Sequence, residues 1–152
     1  MKSEKFLLSV ITPIATGLII LFGCVLYANH QANKLTCVDG DTFAIGSEYF
    51  RMSYIDTPEK GEIGYKRASD YTCQYLQGFQ KSGGLKLVRH GQDIYGRTLV
   101  EVLMPTFHGP ITLNEDLIKM CYAKPFYKNT TDKILSIYNR VCEYANQNRE
   151  EK

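Results

Sequence analysis

The sequence predicts a β-barrel plus α fold: a closed barrel of five short strands with three packed helices, preceded by one transmembrane helix. Three observations carry that expectation. Five runs of alternating or β-branched residues are separated by turn signals. Three amphipathic or capped stretches lie between and after them. The first 28 residues hold a long uncharged run. At 152 residues the chain has room for one domain and an appendage.

The appendage is residues 6–28, FLLSVITPIATGLIILFGCVLYA, without a charged side chain. At about 1.5 Å per helical residue it spans a hydrocarbon core of roughly 30 Å. A cleavable signal usually has only about 7–15 apolar residues, which makes cleavage after Ala28 the second choice. Leu21-Phe22-Gly23-Cys24 has the outline of a lipoprotein cleavage box, but Phe22 is bulky and the apolar run continues past Cys24. Lys2 and Lys5 precede the run and Lys34 follows it, which puts residues 1–5 in the cytoplasm and the remainder outside, periplasmic or extracellular. If the segment is cleaved, the protein is secreted.

Residues 29–33 (NHQAN) read as a polar tether, and 34–146 as the folded domain. KLTCV and TFAIG form a hairpin about Asp39-Gly40-Asp41, since Asp-Gly between two such runs favours a tight turn. EYFRMSYI alternates as a third strand, with Tyr49, Arg51, Ser53 and Ile55 on one side and Phe50, Met52 and Tyr54 on the other. A Thr-Pro corner follows. Tyr65 to Gln80 is helical, with Ala68, Tyr71, Cys73, Tyr75, Leu76 and Phe79 as its buried stripe, and Ser82-Gly83-Gly84 ends it. LKLVRH and RTLVEVLM are strands four and five around GQDIYG, and PTFHGP is a loop. Asn114 reads as the N-cap of a short helix with Glu115 and Asp116 in its first turn. The last helix starts near Thr131, with Ile134, Tyr138, Val141 and Ala145 inward, and residues 147–152 are a polar tail. Five short strands with helices in one small domain suggest a barrel of the oligonucleotide-binding type.

Beyond residue 28 there are 16 Lys/Arg against 15 Asp/Glu, so no broad basic surface for nucleic acid is indicated. Phosphate recognition would have to come from a few placed charges. His30, His90 and His108 are scattered and read as surface residues. Cys37, Cys73, Cys121 and Cys142 show no CxxC spacing, which argues against zinc. In an oxidising compartment they allow two disulfides in three connectivities. Cys121 with Cys142 is the favoured pair, because both lie in the C-terminal helical part.

Three patches carry chemistry: Asp39-Gly40-Asp41-Thr42, Arg51 followed by Ile55-Asp56-Thr57-Pro58-Glu59, and Tyr95-Gly96-Arg97. Singly, each reads as an ordinary turn or strand entry. Together they supply hard oxygen ligands (Asp41, Asp56), a carbonyl directed by Pro58 (Thr57), a spare carboxylate for a water (Glu59) and two planar forks for phosphate oxygens (Arg51, Arg97). A metal, a base and two arginines are the parts needed to attack a phosphodiester.

On these residues the chain resembles the staphylococcal nuclease (thermonuclease) family. FRMSYIDTPE is similar to that family's strand-and-loop signature, DGDTF to its first hairpin, YGRTL to its arginine-bearing turn, and NEDLI…CYAK to the helix after its barrel. The likeness runs from about residue 34 to 146. It implies a five-stranded barrel with three helices, and a calcium-dependent nuclease of DNA and RNA that prefers single-stranded or loosened substrate and leaves 3′-phosphates. It implies one Ca²⁺ (or another hard divalent ion) on Asp41, Asp56 and the Thr57 carbonyl, with Asp39 beside that shell. It implies Glu59 acting on water, Arg51 and Arg97 on the scissile phosphate, and Tyr95 and Tyr127 on the nucleotide. No protein partner is expected, and the chain reads as a monomer attached to the membrane by its first helix. Ile94 stands where relatives usually carry Lys or Arg, which removes one phosphate contact. The alternatives are an inactive barrel that binds nucleic acid or protein, and a membrane-tethered interaction domain in which these charges form structural ion pairs.

Overall fold

The computed structural model describes residues 16–29, 33–104, 111–126 and 130–143. The chain divides into two compact units, Met1–Lys34 and Leu35–Lys152.

In the first unit a helix, α1, covers residues 16–29. Among the described residues no helix is long and apolar enough to cross a membrane. The expected transmembrane helix over 6–28, and the placement of the domain outside the cytoplasm that rested on it, are corrected accordingly. Residues 6–15 lie outside the described residues, as do His30, His108, Ala145 and the PTFHGP loop.

The second unit is built on a curled mixed sheet rather than a closed five-stranded barrel. Its strands are β1 (Leu35–Cys37), β2 (Thr42–Ile45), β3 (Glu48–Met52), β4 (Ile55–Asp56), β5 (Lys86–Gln92), β6 (Thr98–Met104), β7 (Ile111–Thr112) and β8 (Lys124–Pro125). The sheet runs β1-β2-β3-β6-β5, with β7 also on β6, and β4 pairs β8 in a separate ribbon. The β3–β6 pairing is parallel and the others are antiparallel. The helices are α2 (Tyr65–Lys81), α3 (Leu113–Lys119) and α4 (Asp132–Tyr138), the last continued by a π turn over Asn139–Glu143. With α1 that makes four helices among the described residues, not three packed ones and a membrane span.

The barrel expectation failed at Ser53-Tyr54. Tyr54 adopts φ 70°, in the left-handed region that costs a bulky residue energy. The run EYFRMSYI therefore stops at Met52, turns, and resumes as β4 in the small ribbon. The turn also resets the alternation: Ser53 and Ile55 are buried together with Phe50 and Met52. Asn114 is not an N-cap. Thr112 caps α3, its hydroxyl accepting from the Glu115 N–H, while Asn114 is fully buried. Its amide donates to the Ser53 and Val100 carbonyls and its oxygen accepts from the Val102 N–H. That replaces the ladder bonds lost where β3 turns away from β6. Thr131 caps α4.

The core gathers Phe43, Phe50, Met52, Ile55, Val100 and Val102 from the sheet with Leu76, Leu113, Leu117, Ile118, Ile134 and Ile137 from the helices. On α2 the fully buried positions are Ala68, Thr72 and Leu76, with Tyr71, Tyr75 and Phe79 half-buried beside them. Cys37–Cys73 bridges β1 to α2, and Cys121–Cys142 ties the end of α3 to the π turn. Val141, expected inward, is exposed, and Cys142 takes the inner place.

Candidate active site

The Asp-Gly-Asp turn is organised by Asp39. Its Oδ1 accepts from the N–H groups of Asp41 (3.1 Å) and Thr42 (2.7 Å), as a turn aspartate does. Two ties fix this turn to its neighbours. The Thr72 hydroxyl of α2 donates to the Gly40 carbonyl at 2.6 Å, and the Met52 N–H donates to the Asp41 carbonyl at 2.7 Å. Gly40 is required by closeness: a Cβ there would stand 2.8–2.9 Å from the Thr57 side chain.

That contact brings the second patch against the first. Asp41 is 2% exposed. Its Oδ2 accepts from the Thr57 N–H (2.9 Å) and hydroxyl (3.1 Å). Its Oδ1 accepts from the Thr42 hydroxyl (3.0 Å) and from Arg51. The Arg51 guanidinium bridges two carboxylates, with one nitrogen on Asp41 and the other 3.1 Å from Asp56 Oδ1. Lys124, paired with Asp56 across the β4–β8 ribbon, sits 3.4 Å from its Oδ2. Burial pushes the Asp41 carboxyl up from 3.8 to about 6, against the lowering pull of Arg51 and the Thr57 N–H. The cation already present therefore does not fully compensate the buried charge.

Arg97 approaches from the β5–β6 turn. Its Nε donates to Asp93 Oδ2 (2.7 Å), its own N–H to Asp93 Oδ1 (2.9 Å), and one terminal nitrogen lies 3.5 Å from the Thr42 hydroxyl. Desolvation works to raise the Asp93 carboxyl, but the N–H groups of Arg97 and Tyr95 and the Arg97 guanidinium outweigh it and hold it low. Tyr95 is exposed, with the Arg97 guanidinium 5.5 Å from its ring centre. Arg51 and Arg97 line one cavity of about 800 Å³, with Tyr54, His90, Tyr95 and Phe126 among its walls.

Thus Asp41, Arg51, Asp56 and Thr57 meet in one cluster, and Arg97 adjoins it through Thr42. Glu59 stands apart. It is exposed beyond Pro58, and its N–H donates to Glu62 Oε2 at 2.7 Å. Tyr127 lies outside the described residues. Asp39 acts on the backbone of the turn. Asp93 and Lys124 were missed by sequence reasoning, and Thr42 was named in its patch without a role. Asp93 had a usable signal: an aspartate four residues before Arg97, at the head of a tight turn.

Among the described residues no group of three or more His, Cys, Asp or Glu side chains is placed to hold a metal ion. The donor chemistry of Asp41, Asp56 and the Thr57 carbonyl nevertheless suits a hard divalent cation, and the raised Asp41 carboxyl marks an anion short of positive charge. One buried carboxylate, Asp41, and one part-buried, Asp56, flank Arg51, which together with Arg97 lines the cavity, on a partly barrel-like sheet. No protein-family model and no curated protein matches the chain.

Proposed function

We propose that the protein is a calcium-dependent phosphodiesterase acting on DNA and RNA, with single-stranded or loosened strands preferred and 3′-phosphate products. The observation that supports it is the cluster itself. Three sequence patches separated by up to 56 positions, from Asp41 to Arg97, are joined by direct contacts, and their two arginines, Arg51 and Arg97, line one cavity. Ca²⁺, when bound by Asp41, Asp56 and the Thr57 carbonyl, supplies positive charge and a more acidic water. Arg51 and Arg97 bind non-bridging phosphate oxygens and offset the charge that grows on them. A guanidinium has five N–H donors, so Arg51 holds Asp41 and Asp56 with hydrogens to spare. Glu59 is the carboxylate this reading assigns to the proton of the attacking water, although it stands apart from the cluster on an exposed loop. Tyr95 offers a ring face to a base.

One observation favours a second reading. Arg51 pairs with both carboxylates, as it would in a purely structural ion-pair network, so the same cavity could hold nucleic acid without cutting it. The discriminating experiment incubates the full chain with heat-denatured DNA and Ca²⁺, with chelator and a Glu59→Gln variant as controls. Cleavage that stops with chelator and collapses in the variant supports the nuclease. Retention of the strand with no cleavage under any divalent ion would leave the binding module.

A further inference from the structure

His90 and Glu101 form a pair that the proposed chemistry does not use. His90 lies in β5, where pairing with β6 shifts register between Arg89 and Gln92 and Gly91 adopts φ 107°. Such a bulge re-aims the side chains beside it, and His90 lines the cavity that Arg51 and Arg97 also line. The ring is held from two sides. Its Nε2 lies 2.7 Å from Glu101 Oε1, and the Tyr54 ring centre is 5.5 Å away at 60°. A carboxylate only accepts, so Nε2 carries the hydrogen; in the neutral ring Nδ1 is then an acceptor. The charged groups sharing the cavity are committed elsewhere, Arg97 and Asp93 to each other and Arg51 to Asp41 and Asp56.

We infer that His90, oriented by Glu101 as a positioning residue, reads the base of a nucleotide in this cavity through Nδ1. This rests on the nucleotide-handling role proposed above. An acceptor at this point favours bases with a ring N–H on the pairing edge (thymine, uracil, guanine). It disfavours cytosine and adenine, which present a lone pair at the equivalent ring nitrogen. A cavity of about 800 Å³ has the size of a small-ligand site.

The test is calorimetric binding of thymidine and deoxycytidine 5′-monophosphates to the full chain with Ca²⁺, at about pH 8.5, above the ordinary imidazole range. The expected preference for thymidine is about 3–10-fold, the worth of one neutral hydrogen bond. His90→Phe keeps an aromatic wall and removes the acceptor, so both nucleotides should bind with the ratio near one. Glu101→Ala frees the ring and should lower the ratio while binding persists. His90 is exposed on the sheet, and a thermal melt checks that the variants fold. A wild-type ratio of one, or a ratio unchanged in His90→Phe, overturns the assignment. Failure of either nucleotide to bind the wild-type chain sinks the nucleotide-handling reading itself, a separate outcome.

Discussion

Asp41→Asn should stabilise the calcium-free protein at neutral pH, and by an amount that fades with acidification. Asp41 is almost wholly buried, and its carboxyl stands at about 6 against 3.8 ordinarily, chiefly through desolvation. A folded-state value above the unfolded one means that the native state binds the proton more tightly. Stability contributed by the neutral acid is therefore full below about 3.8 and is lost as pH rises toward 6. At about 1.36 kcal/mol per pH unit, the ionised carboxylate costs the fold about 3 kcal/mol above pH 6. Asparagine imitates the neutral acid in size and keeps an acceptor for the Thr57 N–H, but its NH₂ then faces the Arg51 guanidinium, donor to donor, which subtracts from the gain. Urea melts in chelator should place Asp41→Asn above wild type by up to about 3 kcal/mol at pH 8 and level with it near pH 4. Ca²⁺ should then raise wild-type stability at pH 8 by linkage and leave the variant nearly unmoved. The reasoning fails if the variant is no more stable at pH 8, or if the difference does not change with pH. A site residue that lowers stability until its ligand arrives is the usual cost of function.

Three other outcomes follow from contacts around the site. Arg97→Ala should reduce turnover on denatured DNA by roughly 10²–10³, by analogy with a lost transition-state donor; steady-state kinetics at full turnover would refute its role. Gly40→Ala drives a Cβ into Thr57 and should cost about 1–3 kcal/mol from overpacking, read by urea melt, while also lowering activity through the Asp41 turn. Asn114→Ala removes the side-chain partner of the Ser53 carbonyl and the Val102 N–H, while the Val100 carbonyl keeps the Ser53 N–H, and should cost about 2–4 kcal/mol, with a melt within 1 kcal/mol of wild type contradicting the bridging role.

Much of the local structure was legible because its causes are local. Asp-Gly-Asp makes its turn through the hydrogen bonds of Asp39. Thr131 caps α4 through its own hydroxyl, and α2 begins at Tyr65 as its apolar spacing indicates. The three chemical patches were equally visible as residue types. The closure of the sheet was not, because it turned on one residue. Nothing in EYFRMSYI announces that Tyr54 turns left-handed, since the cost is offset by partners distant in sequence: Asn114 on the Ser53 carbonyl and Phe126 on the Tyr54 carbonyl. The apolar run at the N-terminus was read by hydropathy, which registers composition over 23 positions. Hydropathy does not register helix formation, and among the described residues no helix is long and apolar enough to cross a membrane.

By itself, then, the sequence determined which side chains were available for chemistry, the Asp-Gly-Asp and Tyr-Gly-Arg turns that carry them, and where α2 and α4 begin. Only the tertiary structure decided that Arg51 lies between Asp41 and Asp56, that Cys37 joins Cys73 beside the Cys121–Cys142 pair already favoured from the sequence, and that the sheet curls without closing. The physical reason is distance along the chain. Hydrogen bonds within a turn are set by neighbouring residues, whereas burial of a carboxylate depends on packing among segments up to dozens of residues apart.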